Sequence, residues 1–245
     1  VAYKNVVSNG LVLDKNGVKM SKRLGNVIDP FKTMDTYGAD ALRWYMMSNS
    51  APWDNLKFDV NGVVESRNKF FGTLFNTYKF FAQYANVDQY QYDPEKTQDP
   101  TERRRLDRWI CSKLNTVERD FHEFMTDYDC TPACRLLEDF VLNDLSNWYV
   151  RLSRRIFWKS NMSPEKQAAY DTLFECLLSV SKMMSSVAPH FGDWLFQSLT
   201  QDNQAFTESS VHLTVFDQQL AYRNPELEQN MDYAQRISSL ALSLR

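Results

Sequence analysis

Residues 131–158 read TPACRLLEDFVLNDLSNWYVRLSRRIFW. Apolar side chains recur here at steps of three and four: Cys134, Leu137, Val141, Leu145, Trp148, Leu152 and Ile156. That spacing is one face of an α-helix. Thr131 offers a capping oxygen and Pro132 suits a first helical turn. The pattern therefore predicts a helix from Thr131 to about Trp158. The opposite face collects Asn147, Arg151, Arg154, Arg155 and Trp158, at i, i+4, i+7, i+8 and i+11. Between Asp144 and Glu165 stand four basic residues and no acidic one. Two readings fit this face: a surface for phosphate and stacked bases, or an amphipathic helix whose arginines pair with carboxylates such as Asp139 and Asp144.

Outward from this helix the chain stays helical. Ser163-Pro164 opens a further helix with Tyr170, Leu173, Phe174, Leu177 and Met184 on one stripe, and Pro189 should break it. A short helix with Phe191, Trp194 and Leu195 follows. Residues 211–216 read as loop or short strand. Asn224-Pro225 caps a last helix carrying Leu227, Met231, Ala234, Ile237, Ala241 and Leu244. Upstream, Leu106, Trp109, Ile110, Val117, Phe121 and Met125 mark one helix, and Val60 to Ala82 another. Phe70-Phe71 and Phe80-Phe81 belong to their core faces. Pro94 and Pro100 place a loop at 86–101. Before residue 60 the texture changes. Residues 5–19 predict a β-hairpin turning at Asn16-Gly17. Asp29-Pro30 starts a short helix to Thr36 with Gly38 after it, and residues 40–47 form another. The fold class is mainly α: an antiparallel helical bundle preceded by a small α/β segment with a β-hairpin.

Composition excludes much. The 245 residues carry a net charge of −3 and hold 7 Gly against 16 Phe, 12 Tyr and 6 Trp. Scarce glycine and the lack of GxGxxG or GxxxxGK[ST] argue against a Rossmann or P-loop site. No stretch approaches the roughly 20 apolar residues of a membrane span, and no secretory leader is expected. Cys111, Cys130, Cys134 and Cys176 form no CxxC, and His122, His190 and His212 are scattered. No metal site or nucleophilic triad can be assembled from them. Free thiols suit a reducing, cytoplasmic setting. A start at Val1 and an end at Arg245 inside a helical pattern suggest a piece of something larger.

One short run carries chemistry. Lys19-Met20-Ser21-Lys22-Arg23-Leu24-Gly25-Asn26 puts three cations and a hydroxyl on a turn after the hairpin. Lysine ammoniums there could neutralise charge developing on a polyphosphate leaving group. An ordinary solvated basic loop is the alternative.

Lys19 to Arg23 resembles the KMSKS signature of class I aminoacyl-tRNA synthetases, with Arg23 in place of the last serine. The surrounding NGVKMSKRLGNVIDPFKTMDTYGADALRWYMM (residues 16–47) is similar to the isoleucyl branch, as are SAPWDNLKFD, RNKFFGTLFNTYKFFAQYANVD, LDRWICSKLNTV, LSNWYVRLSRRIFWKS and SVHLTVF. NWYVRLSRRIFW favours that branch over the valyl and leucyl enzymes. The resemblance implies that the loop binds ATP phosphates, with Lys22 as the catalytic contact and Lys19, Met20, Ser21 and Arg23 beside it. It implies that Asn147, Arg151, Arg154, Arg155 and Trp158 bind isoleucine-accepting tRNA. Several of these arginines could still be structural. Mg is expected with ATP in the parent enzyme, with no metal site in this span.

The implied layout is residues 1–50 as the end of the catalytic domain, 51–100 as a helical connector and 101–245 as a truncated anticodon-binding bundle. The HIGH signature and the isoleucine pocket are not in these residues. The parent would be an aminoacyl-tRNA ligase, and this piece alone is expected to be inactive. Arg103, Arg104, Arg105 and Arg108 open a helix against its dipole, where solvation or RNA backbone contact both fit. The alternatives are a valyl or leucyl enzyme, or a non-enzymatic helical interaction module with an incidental basic loop.

Overall fold

The computed structural model describes residues 2–216 and 222–244; residues 1, 217–221 and 245 lie outside the described residues. The first element, β1 (Val12–Leu13), is short. Helix α1 (Pro30–Tyr37) starts as its sequence dictates: the Asp29 carboxylate accepts from the amides of Phe31 and Lys32, Pro30 needs no amide partner, and Gly38 ends it. Helix α2 (Ala39–Asn49) follows at once and leads to β2 (Leu56–Lys57). β1 and β2 pair in parallel, Val12 opposite Leu56 and Leu13 opposite Lys57. The two helices form the crossover that parallel strands need.

The predicted hairpin is therefore corrected. Only one antiparallel bridge, Leu13 with Lys19, survives from it. Val6, Val7 and Leu11 are exposed and outside any strand. The cause lies at Asp14, whose Oδ1 accepts from the amides of Asn16 at 2.9 Å and Val18 at 2.8 Å. That turn closes the chain on itself and leaves Gly17, but not Asn16, at positive φ, so the two-residue hairpin turn never forms.

Helix α3 (Val60–Ser66) passes through a π-helical stretch, Arg67–Phe71, into α4 (Gly72–Asp88). Phe70 stacks on the fully buried Trp44 of α2 at 4.4 Å. The bundle proper comprises α5 (Arg105–Thr126), α6 (Cys130–Asp139), a π-helical stretch Phe140–Val150, α7 (Arg151–Phe157), α8 (Pro164–Ser185), α9 (Pro189–Thr200) and α10 (Pro225–Ser243). Ser163 caps α8 through the Lys166 amide, and Asn224 caps α10 through the Leu227 amide. Gly192 lets α9 press on α8; a Cβ there would lie 3.0 Å from the Ser181 carbonyl oxygen. Residues 211–213 form a 3-10 turn rather than a strand.

One hydrophobic core runs from Ala41 to Leu227 and is built largely on Trp44, Trp109, Tyr149, Tyr170, Phe70, Phe140 and Phe157, all fully buried. Burying side chains of this kind stabilises by about 1.5–3 kcal/mol each. Phe70, Phe71 and Phe81 are buried and Phe80 packs against this core.

Two details of residues 131–158 differ from the sequence pattern. Thr131 is not a cap: α6 starts one residue earlier, and the Thr131 hydroxyl donates to α2 carbonyls instead. The buried stripe follows Cys134, Leu137, Val141 and Leu145, then moves to Tyr149, Ser153 and Phe157. Trp148 and Ile156 are half-buried and Leu152 is exposed. The π-helical stretch explains the shift, because its i→i+5 bonds widen each turn and delay the stripe by one position.

Candidate functional site

The cationic run at 19–26 is shaped by its own polar groups. Lys22–Leu24 make one 3-10 turn, the Ser21 hydroxyl accepts from the Leu24 amide at 3.2 Å, and Gly25 closes the turn at φ 66°. That left-handed conformation favours glycine. Asn26 braces the turn from below. Its Oδ1 accepts from the Ser21 amide at 2.8 Å, and its Nδ2 donates to Asp14 Oδ2 at 2.9 Å and to the Lys19 carbonyl at 3.3 Å. The bond from Asn26, followed by that from the Val18 amide, holds the Asp14 carboxyl below the usual carboxylate range. Met20 is half-buried against the core and anchors the loop. Lys19, Lys22 and Arg23 are exposed, and no ion pair joins them to a carboxylate among the described residues. The loop thus presents three uncompensated cations on a braced turn, a donor set that fits a polyphosphate. Asn26 was legible only as a residue that could bend the chain; its bracing role needed the fold to bring Asp14 beside it.

The second group lies on the helix that continues from α6 into α7. Asn147, Arg151, Arg154, Arg155 and Trp158 are all exposed, Trp158 by 58 %. Leu152, released by the shifted stripe, joins them on the surface. The carboxylates that could have neutralised the arginines are engaged elsewhere. Asp139 accepts from Asn143 at 2.6 Å, and Asp144 faces Lys113 at 3.9 Å and Gln235 at 3.2 Å. Burial pushes the Asp144 carboxyl up to about 6, against the opposing pull of Lys113 and the Gln235 bond. No ion pair joins Arg151, Arg154 or Arg155 to a carboxylate among the described residues.

The end of this face is pinned from beneath. The fully buried Lys166 donates to the Lys159 carbonyl at 2.5 Å and pairs with Asp88 at 2.5 Å, and Tyr170 also donates to Asp88. The chain just after Trp158 is thereby fixed to α4 and α8.

The arginine cluster at 103–108 divides. Arg103 is buried and forms a two-pronged pair with Glu175 at 2.6 and 2.8 Å, with further bonds to Thr172 at 2.8 Å and the Gln98 carbonyl at 2.9 Å. Arg104 pairs with the buried Asp107, which also accepts from Tyr149 at 2.8 Å. These two are structural, which corrects both the solvated and the RNA-facing readings. Arg105 is exposed. Cys111, Cys134 and Cys176 are buried free thiols and Cys130 is half-buried. Among the described residues no group of three or more His, Cys, Asp or Glu could hold a metal ion, and no helix is long and apolar enough to cross a membrane.

Residues 107–245 match the family described as "Anticodon-binding domain of tRNA ligase", and residues 1–59 match "tRNA synthetases class I (I, L, M and V)". Proteins named isoleucine–tRNA ligase are similar along the whole chain: 51% identical in Cytophaga hutchinsonii, 53% in Porphyromonas gingivalis and 38% in Clostridium acetobutylicum. The chain spans about a fifth of these relatives, 22%, 21% and 23% of their lengths. Among solved structures, the LeuRS of a ternary LeuRS–tRNA–LeuAMS complex from Agrobacterium radiobacter shares the fold, with a TM-score of 0.62 at 18% identity over 90% of this chain and 24% of that one. The chain therefore belongs to the class I tRNA ligase family and carries, over residues 107–245, its anticodon-binding domain.

Proposed function

We propose that this chain is the part of an isoleucine–tRNA ligase that joins the ATP-phosphate loop to the tRNA-binding bundle. In the whole enzyme isoleucine would be activated with ATP and passed to its tRNA. Lys22 would meet the phosphates, with Lys19, Met20, Ser21 and Arg23 supporting, and stabilise charge on departing pyrophosphate. Asn147, Arg151, Arg154, Arg155 and Trp158 would hold the tRNA, the arginines on phosphates and Trp158 on a splayed base. Residues 1–50 would close the catalytic domain, 51–100 connect, and 101–245 bind the anticodon arm. Any Mg accompanying ATP would be held by the phosphates and by residues outside this span, as would isoleucine. The setting would be the cytoplasm.

The observation that carries this reading is the row of exposed arginines on α7, with no ion pair among the described residues, beside the exposed Trp158 that follows the helix, in a chain with net charge −3. A helix stabilised by its own ion pairs would have used those arginines. The test is tRNA binding by the chain across a range of salt. Arg151→Ala with Arg155→Ala should weaken binding and lower the salt slope by about one for each phosphate no longer neutralised. Unaltered affinity and slope in a folded variant would reject the assignment.

A further inference from the structure

Helix α2 ends without a cap of its own, yet its last three carbonyls meet side chains of α6. The Thr131 hydroxyl lies 2.7 Å from the Met47 carbonyl oxygen and 2.9 Å from that of Ser50. Arg135 donates from Nε to the Ser48 carbonyl at 2.7 Å and from Nη2 to the Asn49 carbonyl at 2.8 Å. Three consecutive carbonyls that a helix end normally leaves to water, and that of Ser50 just beyond, thus face two side chains one turn apart on α6, the Thr131 hydroxyl sharing its one proton between Met47 and Ser50. One turn further, Glu138 accepts from the indole of Trp44 at 2.6 Å. The other flank of α2 is fastened as well. Arg43 donates to the Val187 carbonyl at 2.7 Å, and Asp40 accepts from the Phe191 amide at 2.6 Å.

Apolar packing, with the fully buried Trp44 stacked on Phe70, holds α2 on the bundle, and polar bonds are added to it. Directional bonds to successive carbonyls set both the axial position and the rotation. Chain order couples this fastening to both functional surfaces. The 19–26 loop leads through α1 directly into α2. From Thr131 the helix runs on without interruption through the π-helical stretch into α7, which bears Arg151, Arg154 and Arg155. Among the attachments of α2, the one made by Thr131 and Arg135 joins the end of the segment that follows the cationic loop to the helix that continues into the arginine face.

We propose that Thr131 and Arg135 are positioning residues for aminoacyl transfer: they lock α2 to α6 so that one tRNA can lie on the arginine face while its acceptor end reaches the site that the cationic loop serves. This rests on the tRNA-binding reading above. Of these two surfaces, adenylate formation calls on the loop and tRNA binding on the bundle face. Charging needs both in one fixed relation, and small misplacements of reacting groups cost rate steeply.

The test uses the full-length ligase carrying Thr131→Val with Arg135→Met and reads three quantities. Isoleucine-dependent pyrophosphate exchange and tRNA affinity should be unchanged, while kcat for charging falls by about ten-fold or more. Thr131→Ser with Arg135 intact keeps the hydroxyl and should retain full charging. Unchanged charging, or a parallel fall of all three quantities, would overturn the proposal, since the fastening would then be incidental or merely structural. If the double variant does not fold, the near-isosteric Thr131→Val alone carries the same comparison, with a smaller selective loss of kcat expected. Arg151→Ala with Arg155→Ala, run alongside, separates the two ideas. Unaltered tRNA affinity there rejects the binding face, whereas lowered affinity there with unaltered charging in the Thr131 and Arg135 variants rejects only the lock.

Discussion

Arg103→Met should cost the chain about 3–5 kcal/mol of stability, the range for breaking one side of a buried ion pair. The structure says why the cost is large. The Arg103 side chain is 1% exposed and its partner Glu175 is 22% exposed. Methionine replaces most of the apolar stem, so little cavity opens and the loss is chiefly electrostatic. Glu175 loses both prongs of its pair, Thr172 loses a charged donor, and the Gln98 carbonyl loses its partner. Net contributions of about 1.5–3 kcal/mol for each charge-linked hydrogen bond would sum higher, but bonds sharing one guanidinium do not add. Urea denaturation is the suitable assay, because guanidinium salt would screen the pair under study. Adding Glu175→Gln to Arg103→Met should recover part of the loss, since the half-buried Glu175 carboxylate is then no longer left without its cation. A loss below about 1 kcal/mol, the range of exposed surface pairs, would refute the reasoning. The folded variant should also bind tRNA with unchanged affinity, in contrast to Arg151→Ala.

Other expectations follow from the same geometry. Lys22→Ala in the full-length ligase should lower adenylate formation by about 100-fold or more; an unchanged pyrophosphate-exchange rate would remove Lys22 from its role. The Asp144 carboxyl titrates near 6 in the folded chain against an ordinary 3.8. The folded state therefore holds this proton more tightly than the unfolded one. That contribution favours folding in acid and is lost as pH rises from about 4 through 6, a difference approaching about 3 kcal/mol. Asp144→Asn should gain stability relative to the parent on going from about pH 4 to pH 7, and an identical offset at both, measured by urea titration, would contradict it.

Much of the fold was legible because local signals agreed with one another. Asp29-Pro30, Ser163-Pro164 and Asn224-Pro225 each start a helix, since cap chemistry is decided within one turn. The apolar stripes of α5, α8 and the first half of α6 report burial directly. The two-residue turn failed for an equally local reason: the Asp14 carboxylate accepts from the Asn16 and Val18 amides and closes a wider turn over residues 14–18. The strand that β1 does pair with, Leu56–Lys57, stands far along the chain, beyond the reach of a turn rule. The cationic loop was visible as a motif, and its bracing by Asn26 was not, because hydrogen-bond partners well separated in sequence depend on how the chain folds back.

The sequence by itself determined the helical class, the cationic run at 19–26 and the five side chains on the 147–158 face, because composition, caps and short periodicities are properties of neighbouring residues. Only the tertiary structure decided which arginines are buried struts and which are free. Arg103 and Arg151 look alike in sequence. One meets Glu175 across the bundle and the other meets no carboxylate among the described residues. The same holds for Leu152, brought to the surface by wide helical turns, and for Thr131, drawn from capping its own helix to bonding the end of another. Which polar group finds a partner is settled by packing between elements distant in sequence, and local pattern carries no information about that.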